Sequence, residues 1–305
     1  MKTHIPLGKM ARVLVQAGLF AATAGIASAG VFGDGCNLQP SYYNSGNVSF
    51  DFALMKAQSK IKTVRIEIDP TAGGFSITTA KSWISQAKAA GMTVIATYHD
   101  ANVLGSDNAS DLVNGANWWK ANYATLAAAG SFTVNLMNEW GSHNQTAATY
   151  AAAYNQAIPI VRQVYSGLII IDCPGWGQET HTAALAIKGS GGAKINDGNI
   201  LPSVHVYPNG WNQALNHTLQ NSDIADLATA GKGGIVGEFG NSPSGSANWS
   251  GIVDYARSTE GWTVLAWSWN GDGGTMNMVT PSWATNPTAT TFSLSSYFTT
   301  VNAHL

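Results

Sequence analysis

Charge is scarce in this sequence. Lys, Arg, Asp and Glu together make up 10% of the 305 residues, and the formal net charge is −2. Nucleic-acid binding surfaces are clusters of lysine and arginine, and the sequence contains no such cluster. The composition therefore excludes a nucleic-acid partner.

Cysteine and the common catalytic motifs are also scarce. Cys36 and Cys173 are the only cysteines, and we expect two free, buried thiols, the alternative being a disulfide. The sequence lacks the HxH and HExxH spacings of metal sites and the GxSxG turn of serine hydrolases. It also lacks GxGxxG and a P-loop. These absences predict an enzyme or binding protein without a metal or cofactor.

Long hydrophobic runs are confined to the N-terminus. A basic start leads into the apolar stretch Val13–Ala27, which ends in the small triplet Ala27-Ser28-Ala29. This order is typical of a secretory signal with a cleavage site. The stretch is too short and too rich in Ala and Gly for a membrane anchor, and no second one follows. We therefore expect a signal peptide over 1–29, a catalytic domain over 30–305 and a secreted protein without membrane contact.

Eight apolar, β-type runs alternate with segments of helical composition. The runs are Val31–Asn37, Thr63–Asp69, Thr93–His99, Val134–Trp140, Leu168–Trp176, Pro202–Tyr207, Gly234–Gly240 and Thr263–Asn270. The helical segments include Thr79–Ala90, Ala116–Ala129, Ala147–Tyr165, Trp249–Ser258 and Leu294–Ala303. Apolar strands alternating with helices indicate a parallel sheet buried on both faces. Eight such units predict an α/β protein, a single-domain (β/α)8 TIM barrel, rather than a doubly wound open sheet.

Polar and aromatic residues gather towards the ends of these runs, whereas the beginnings are plainly apolar. They are Arg65, His99, Asn138, Glu139, Trp176, His205, Tyr207, Glu238, Trp267 and Trp269. In a TIM barrel the active site lies at the carboxyl ends of the strands. The pattern therefore predicts an active site at that end of the barrel.

Two glutamates carry the clearest chemical signal. Glu139 follows Asn138 in VNLMNEWG, and Glu238 lies in GIVGEFG, each at the end of an apolar run. A carboxylate buried without a partner is costly, so two of them suggest a pair facing one pocket. Two facing carboxyl groups are the minimal machinery for breaking a glycosidic bond. The alternative is two structural glutamates in salt bridges.

The segments YHDAN, NEWG, GWGQ, SVHVYPN, GEFG and LAWSWNGDG, in this order, resemble glycoside hydrolase family 5. Within the family they resemble the bacterial-type β-mannanases, which belong to a clan of retaining TIM-barrel glycosidases. Strand one departs from that pattern, because Gly35–Gln39 has neither the histidine nor the tryptophan expected there. That strand contributes to sugar binding, so the departure concerns substrate preference and leaves the catalytic pair untouched.

The resemblance implies the catalytic roles. Glu238 is expected to be the nucleophile, and Glu139 the acid that protonates the leaving oxygen and then the base that activates water. Arg65 should favour the charged form of Glu238, and Tyr207 should donate a hydrogen bond to it. His205 should orient Glu139 or the sugar.

The resemblance also implies sugar contacts. Asn138 is expected to bond the 2-hydroxyl, and Trp267 to form the platform beneath the sugar at the cleavage point. His99 is expected to contact substrate. Trp269 and Trp176 should line neighbouring subsites; because Trp267 and Trp269 are two residues apart on one strand, their side chains should share a side.

The expected activity is endo-cleavage of β-1,4-mannosidic bonds in mannan, glucomannan or galactomannan by a monomer. A β-1,4-glucanase on the same scaffold is the main alternative, since mannose and glucose units differ only at C2. A non-catalytic carbohydrate-binding protein is a remote alternative that the intact glutamate pair disfavours.

Overall fold

The computed structural model describes residues 32–305 in addition to Met1. The predicted signal segment and Val31 lie outside these residues, apart from Met1. Within residues 32–305, no helix is long and apolar enough to cross a membrane.

Eight parallel strands close into a barrel in which each strand pairs with its neighbours in sequence, and the eighth pairs with the first. They are β1 (Gly35–Leu38), β2 (Thr63–Ile68), β3 (Thr93–Tyr98), β4 (Thr133–Asn135), β5 (Ile169–Asp172), β6 (Ile200–Val206), β7 (Ile235–Phe239) and β8 (Thr263–Asn270). The predicted TIM barrel is confirmed.

A helix follows each strand. The helices are α1 (Phe52–Ala57), α2 (Ile77–Ala89), α3 (Ala109–Ala127), α4 (Ala147–Val161), α5 (Thr180–Lys188), α6 (Asn221–Ala228), α7 (Trp249–Ser258) and α8 (Ser296–Asn302). Polar side chains cap the beginnings of several helices. The Thr146 hydroxyl accepts from the Thr149 amide at the start of α4, and the Asn248 side chain accepts from the Gly251 amide at the start of α7. These caps satisfy amide groups that have no partner inside the helix.

The barrel interior has two layers of different chemistry. An apolar layer fills its lower part and consists of Phe32, Ile95, Ile170, Leu201, Ile235 and Leu265. Nearer the carboxyl ends of the strands, the fully buried Arg65 donates to the fully buried side chains of Asn37 and Asn135. A large apolar cluster outside the barrel joins the strands to the helices. The apolar layers stabilise the barrel, and the inner polar layer supports the groups above it.

Several predicted boundaries are wrong. β4 ends at Asn135 rather than Trp140, because the chain leaves the sheet for a turn in which Glu139 has a left-handed φ of 48°. β5 ends at Asp172, and Pro174–Gly177 forms a separate turn. β8 and α7 have the predicted bounds. The short α1, α5 and α6 were not among the predicted helices.

The two cysteines are free and buried, as predicted. Cys36 lies in β1, and Cys173 follows β5 on another part of the barrel. Burial raises the pKa of both thiols far above the usual value. Both side chains are therefore uncharged packing groups in the barrel wall.

Candidate active site

A cleft of about 420 Å³ lies at the carboxyl ends of the strands. Its lining residues are Gln39, Tyr42, Tyr43, His99, Ala101, Leu104, Asn138, Glu139, Tyr207, Glu238 and Trp267. Both predicted catalytic glutamates are among them. The cleft therefore brings together the ends of β1, β3, β4, β6, β7 and β8.

Glu139 is held by its backbone and by a histidine. Its amide donates to Asp172 Oδ2 at 3.0 Å, which fixes the left-handed turn after β4. Its Oε1 lies 2.8 Å from His205 Nδ1. Burial raises the pKa of Glu139, and the nearby charge of Glu238 adds to the rise against the opposing effect of His205. Glu139 is therefore poised to carry a proton.

Glu238 has the opposite electrostatic surroundings. Its Oε1 accepts from Arg65 Nη1 at 2.9 Å, and its Oε2 accepts from the Tyr207 hydroxyl at 2.7 Å. Burial favours the neutral form, but the positive charges of His205 and Arg65 and the Tyr207 hydrogen bond outweigh it and lower the pKa to about 2. Glu238 is therefore ionised at neutral pH.

The separation of the two glutamates selects one mechanism. A carboxylate oxygen of Glu139 and one of Glu238 lie within 4.8 Å of each other. Retaining glycosidases have carboxyl groups about 5–5.5 Å apart, whereas inverting enzymes need about 6.5–9.5 Å to admit a water. The geometry fits direct attack by Glu238 and a covalent intermediate.

Arg65 is the central donor of the site and is fully buried. Its guanidinium contacts six side chains, which are Asn37, Glu67, Asn135, Asn138, Asp172 and Glu238. The planar guanidinium fixes these partners in defined directions. Arg65 thus positions Glu238 directly and Asn138 through its side-chain oxygen.

Two carboxyl groups of this network were not predicted as site residues. Asp172 accepts from the Glu139 amide and lies 3.4 Å from both Arg65 Nη2 and His205 Nε2. Glu67 Oε1 lies 2.8 Å from Arg65 Nη1. The sequence signal was present, since Asp172 ends the apolar run Ile169–Asp172 and Glu67 stands two residues after Arg65, on the same side of β2.

His205 lies close to both glutamates of the cleft. It is fully buried, with Nδ1 2.8 Å from Glu139 Oε1 and 3.6 Å from Glu238 Oε1. Burial favours the neutral ring, but Glu238, Asp172 and Glu139 together raise the pKa of His205 to about 9. The ring is therefore positively charged at neutral pH and donates towards Glu139.

A second histidine closes the cleft on the β1 side. His99 Nδ1 lies 2.7 Å from the Tyr42 hydroxyl, which donates to Asp69 Oδ2 at 2.5 Å. Tyr42 was not predicted, and its ring is 38% exposed. Tyr42 lies in the turn after β1 and lines the cleft together with His99.

The predicted shared side of Trp267 and Trp269 is wrong. Trp267 lines the cleft, and its indole donates to Asp272 Oδ1 at 2.9 Å. Trp269 is fully buried in the outer core and donates to the Phe50 carbonyl at 2.8 Å. A bulge pairs Cys36 and Leu38 of β1 with Ala266 and Asn270, so strict alternation fails between them. Trp269 therefore does not contact a ligand in the cleft.

Trp176 lies beyond the residues that line the cleft. Its ring is 39% exposed and packs against His143 with a centroid distance of 5.3 Å. It also abuts Gly105, whose amide donates to the Glu139 carbonyl. Trp176 is thus placed on the Glu139 side of the cleft.

Glu139, His205 and Glu238 are also the described residues whose ligand atoms come close enough together for a metal ion. A histidine ligand must be neutral, whereas the surroundings of His205 raise its pKa to about 9. The guanidinium of Arg65, 2.9 Å from Glu238, further disfavours a cation. The three side chains fit proton transfer and nucleophilic attack better than metal binding.

Residues 32–273 match the sequence model of the family described as cellulase (glycosyl hydrolase family 5). The chain belongs to glycosyl hydrolase family 5. The predicted family is therefore confirmed, and the cleft between Glu139 and Glu238 lies within the matched residues.

Two curated relatives carry the name mannan endo-1,4-beta-mannosidase. The one from Streptomyces lividans is 30% identical over 70% of this chain and 55% of its own length. The one from Cellvibrio japonicus is 26% identical over 64% of this chain and 45% of its own length. The chain spans about half the length of these relatives.

Solved structures share the fold at lower identity. The catalytic domain of a mannanase from Streptomyces sp. SirexAA-E has a TM-score of 0.69 at 20% identity, covering 98% of this chain and 96% of that chain. The catalytic domain of an endoglucanase from Thermobifida fusca has a TM-score of 0.67 at 17% identity, covering 90% and 91%. Both are similar to this barrel.

Proposed function

We propose that this protein is a retaining glycoside hydrolase that cleaves β-1,4-mannosidic bonds within mannan, glucomannan or galactomannan. The observation that carries the proposal is the pair Glu139 and Glu238, whose carboxylate oxygens lie within 4.8 Å and whose pKa values are shifted in opposite directions. That combination provides one proton donor and one nucleophile at retaining distance.

In the first step Glu238 attacks the anomeric carbon while Glu139 protonates the leaving oxygen. The glycosidic bond breaks, an ester forms on Glu238, and the shortened chain leaves with the Glu139 proton. In the second step Glu139 takes a proton from water, the water oxygen attacks the anomeric carbon, and the ester bond to Glu238 breaks. His205, charged beside Glu139, stabilises the carboxylate that exists between the steps.

The cleft-lining side chains have matching roles in sugar binding. Asn138 bonds the 2-hydroxyl, with its oxygen already held by Arg65 Nη2 at 2.5 Å and its nitrogen left for the sugar. Trp267 forms the platform beneath the sugar at the cleavage point, since the CH face of a pyranose packs on an indole. His99 contacts the sugar on the β1 side, and Trp176 receives the leaving sugar.

Support for a mannan substrate comes from the two relatives that carry the mannan endo-1,4-beta-mannosidase name. The altered strand-one segment Gly35–Gln39 and the similar barrel of the endoglucanase favour β-1,4-glucan as the second candidate. Secretion by the segment 1–29 and a monomeric state belong to the proposal as well; the sequence pattern supports the first.

The substrate test compares galactomannan, glucomannan and carboxymethyl-cellulose under the same conditions, with release of reducing ends as the measurement. We expect rapid hydrolysis of both mannans and much slower hydrolysis of the cellulose derivative. The control is Glu238→Gln, which should be inactive on all three and so excludes a contaminating enzyme. Preference for the cellulose derivative would contradict the mannan assignment and support the glucanase.

A further inference from the structure

Glu67 is a third carboxyl group in contact with the catalytic network. It lies in β2 and is fully buried. Its Oε1 is 2.8 Å from Arg65 Nη1, and its Oε2 accepts from Gln39 Nε2 at 3.1 Å and lies 3.6 Å from His99 Nε2. A buried carboxyl group in this position is expensive unless its charge is compensated or removed by a proton.

Arg65 Nη1 has fewer hydrogen atoms than it has acceptor oxygens around it. This nitrogen carries two hydrogens but has three acceptor oxygens within 3.0 Å, on Asn37, Glu67 and Glu238. The amide of Asn37 cannot be reversed, because its Nδ2 donates to the Gly237 carbonyl at 2.9 Å. Two carboxyl oxygens therefore crowd one nitrogen, and a proton between them removes their repulsion.

The charges of the buried network lead to the same conclusion. Its carboxyl groups are Glu67, Asp69, Glu139, Asp172 and Glu238, and its basic groups are Arg65, His99 and His205. Even with both histidines charged, the carboxyl groups outnumber the cations by two, so two carboxyl protons are needed for neutrality. Glu139 is the first carrier, as the proton donor of the reaction.

The second proton must be carried by the remaining carboxyl group whose ionised form is least stabilised by its neighbours. Glu238 accepts hydrogen bonds from Arg65 and Tyr207, and Asp69 accepts from Tyr42 and Thr71. Asp172 accepts from the Glu139 amide and from Asn135 Nδ2. Burial raises the pKa of Glu67 to about 7, against the opposing charge of His99, with the charge of Glu238 adding to the rise.

We infer that Glu67 is a positioning residue that is protonated in the active enzyme and donates its O–H to the nucleophile Glu238. The inference rests on the proposed retaining mechanism. The donated hydrogen bond holds Glu238 in place and keeps it ionised. When Glu67 loses its proton, two carboxylates compete for Arg65, and the nucleophile is displaced from its position. Activity therefore falls as pH rises through the ionisation of Glu67.

The kinetic test compares Glu67→Gln with Glu67→Ala on an aryl β-mannobioside that has a good leaving group. Such a substrate does not need protonation by Glu139, so the alkaline limb of kcat/KM reports Glu67. The glutamine variant keeps a donor that cannot ionise, and its alkaline limb should move to higher pH. The alanine variant should lose roughly 10- to 100-fold at neutral pH, as expected for one hydrogen bond to a charged group.

Glu260→Gln is the matched control, because Glu260 accepts a hydrogen bond from the Tyr255 hydroxyl outside the barrel and does not line the cleft. Its pH profile should coincide with that of the wild type. An alkaline limb that stays in place in Glu67→Gln, or equal losses in Glu67→Gln and Glu67→Ala at every pH, would overturn the inference.

Infrared difference spectroscopy during a pH titration tests the protonation state without any substrate. We expect the wild type to show, besides any band of Glu139, a carboxylic acid band that disappears near neutral pH and that is missing in Glu67→Gln. Identical sets of titrating carboxylic acid bands in the two proteins, or no carboxylic acid band in the wild type above pH about 5, would contradict the inference. If the wild type hydrolyses no β-mannoside, the proposed function fails while this measurement still decides the state of Glu67.

Discussion

Glu139 and Glu238 are the same amino acid in one cleft, but their neighbours give them different protonation states. Arg65 and Tyr207 bind the carboxylate of Glu238, whereas the carboxylate of Glu139 has one hydrogen-bond partner among the described residues, His205. Burial acts on both and is outweighed only at Glu238. The division of roles follows from this difference in donors.

Glu139→Gln should slow hydrolysis of mannan by roughly 100- to 10,000-fold, the usual contribution of general acid catalysis. The loss should be much smaller on an aryl glycoside with a good leaving group, because that bond breaks without a proton. The measurement is kcat/KM on both substrates. Because Glu139 can then no longer titrate, the ionisation of Glu67 should cause the first fall of the alkaline limb, below the loss of the His205 proton, whose pKa is about 9.

Equal losses on the two substrates would contradict the acid role of Glu139. Glu260→Gln serves again as the control, since it changes one glutamate far from the cleft and should affect neither substrate.

Not all site residues could be predicted with equal ease. Glu139 and Glu238 stand out in the sequence because each ends an apolar run, where a buried carboxyl group without a partner is costly. Asp172 and Glu67 lie in similar surroundings, yet their contacts depend on Arg65 and on the turn after β4. Such contacts between distant parts of the chain follow only from the closed barrel.

At the scale of elements, the end of β8 decides which tryptophan lines the cleft. Alternation along an ideal strand predicted the same side for Trp267 and Trp269. The bulge opposite β1 adds residues to β8 and turns Trp269 into the outer core. A sequence pattern predicts the strand, but the position of a bulge depends on how the neighbouring strand pairs.

The two tryptophans give a matched pair of variants. Trp267→Ala should lower kcat by roughly tenfold, equal to about 1.4 kcal/mol of the activation barrier, because the platform holds the distorted sugar. Trp269→Ala should instead lower the free energy of unfolding by about 3–5 kcal/mol, the usual cost of removing a buried tryptophan. The measurements are kcat and the midpoint of thermal unfolding for both.

An unchanged kcat in Trp267→Ala would remove the platform role. A lower kcat with an unchanged midpoint of thermal unfolding in Trp269→Ala would contradict the assignment of Trp269 as a packing residue of the outer core.

At the scale of the molecule, the barrel itself could be predicted from the order of its elements. Eight apolar runs with helices between them leave few other architectures, and the bounds of β8 and α7 agree with the prediction. The short α1, α5 and α6 were not predicted because six to nine residues carry little periodic signal. These short helices are stabilised by packing against the barrel rather than by their own helical propensity.

The stereochemistry of the first product tests the central claim that the whole barrel assembles a retaining pair. Proton NMR in the first minutes of hydrolysis, before mutarotation, distinguishes the two anomers of the new reducing end. Attack by Glu238 followed by attack of water inverts the anomeric carbon twice, so the β-anomer should appear first. Initial release of the α-anomer would mean a single inversion and would contradict the assignment of Glu238 as nucleophile.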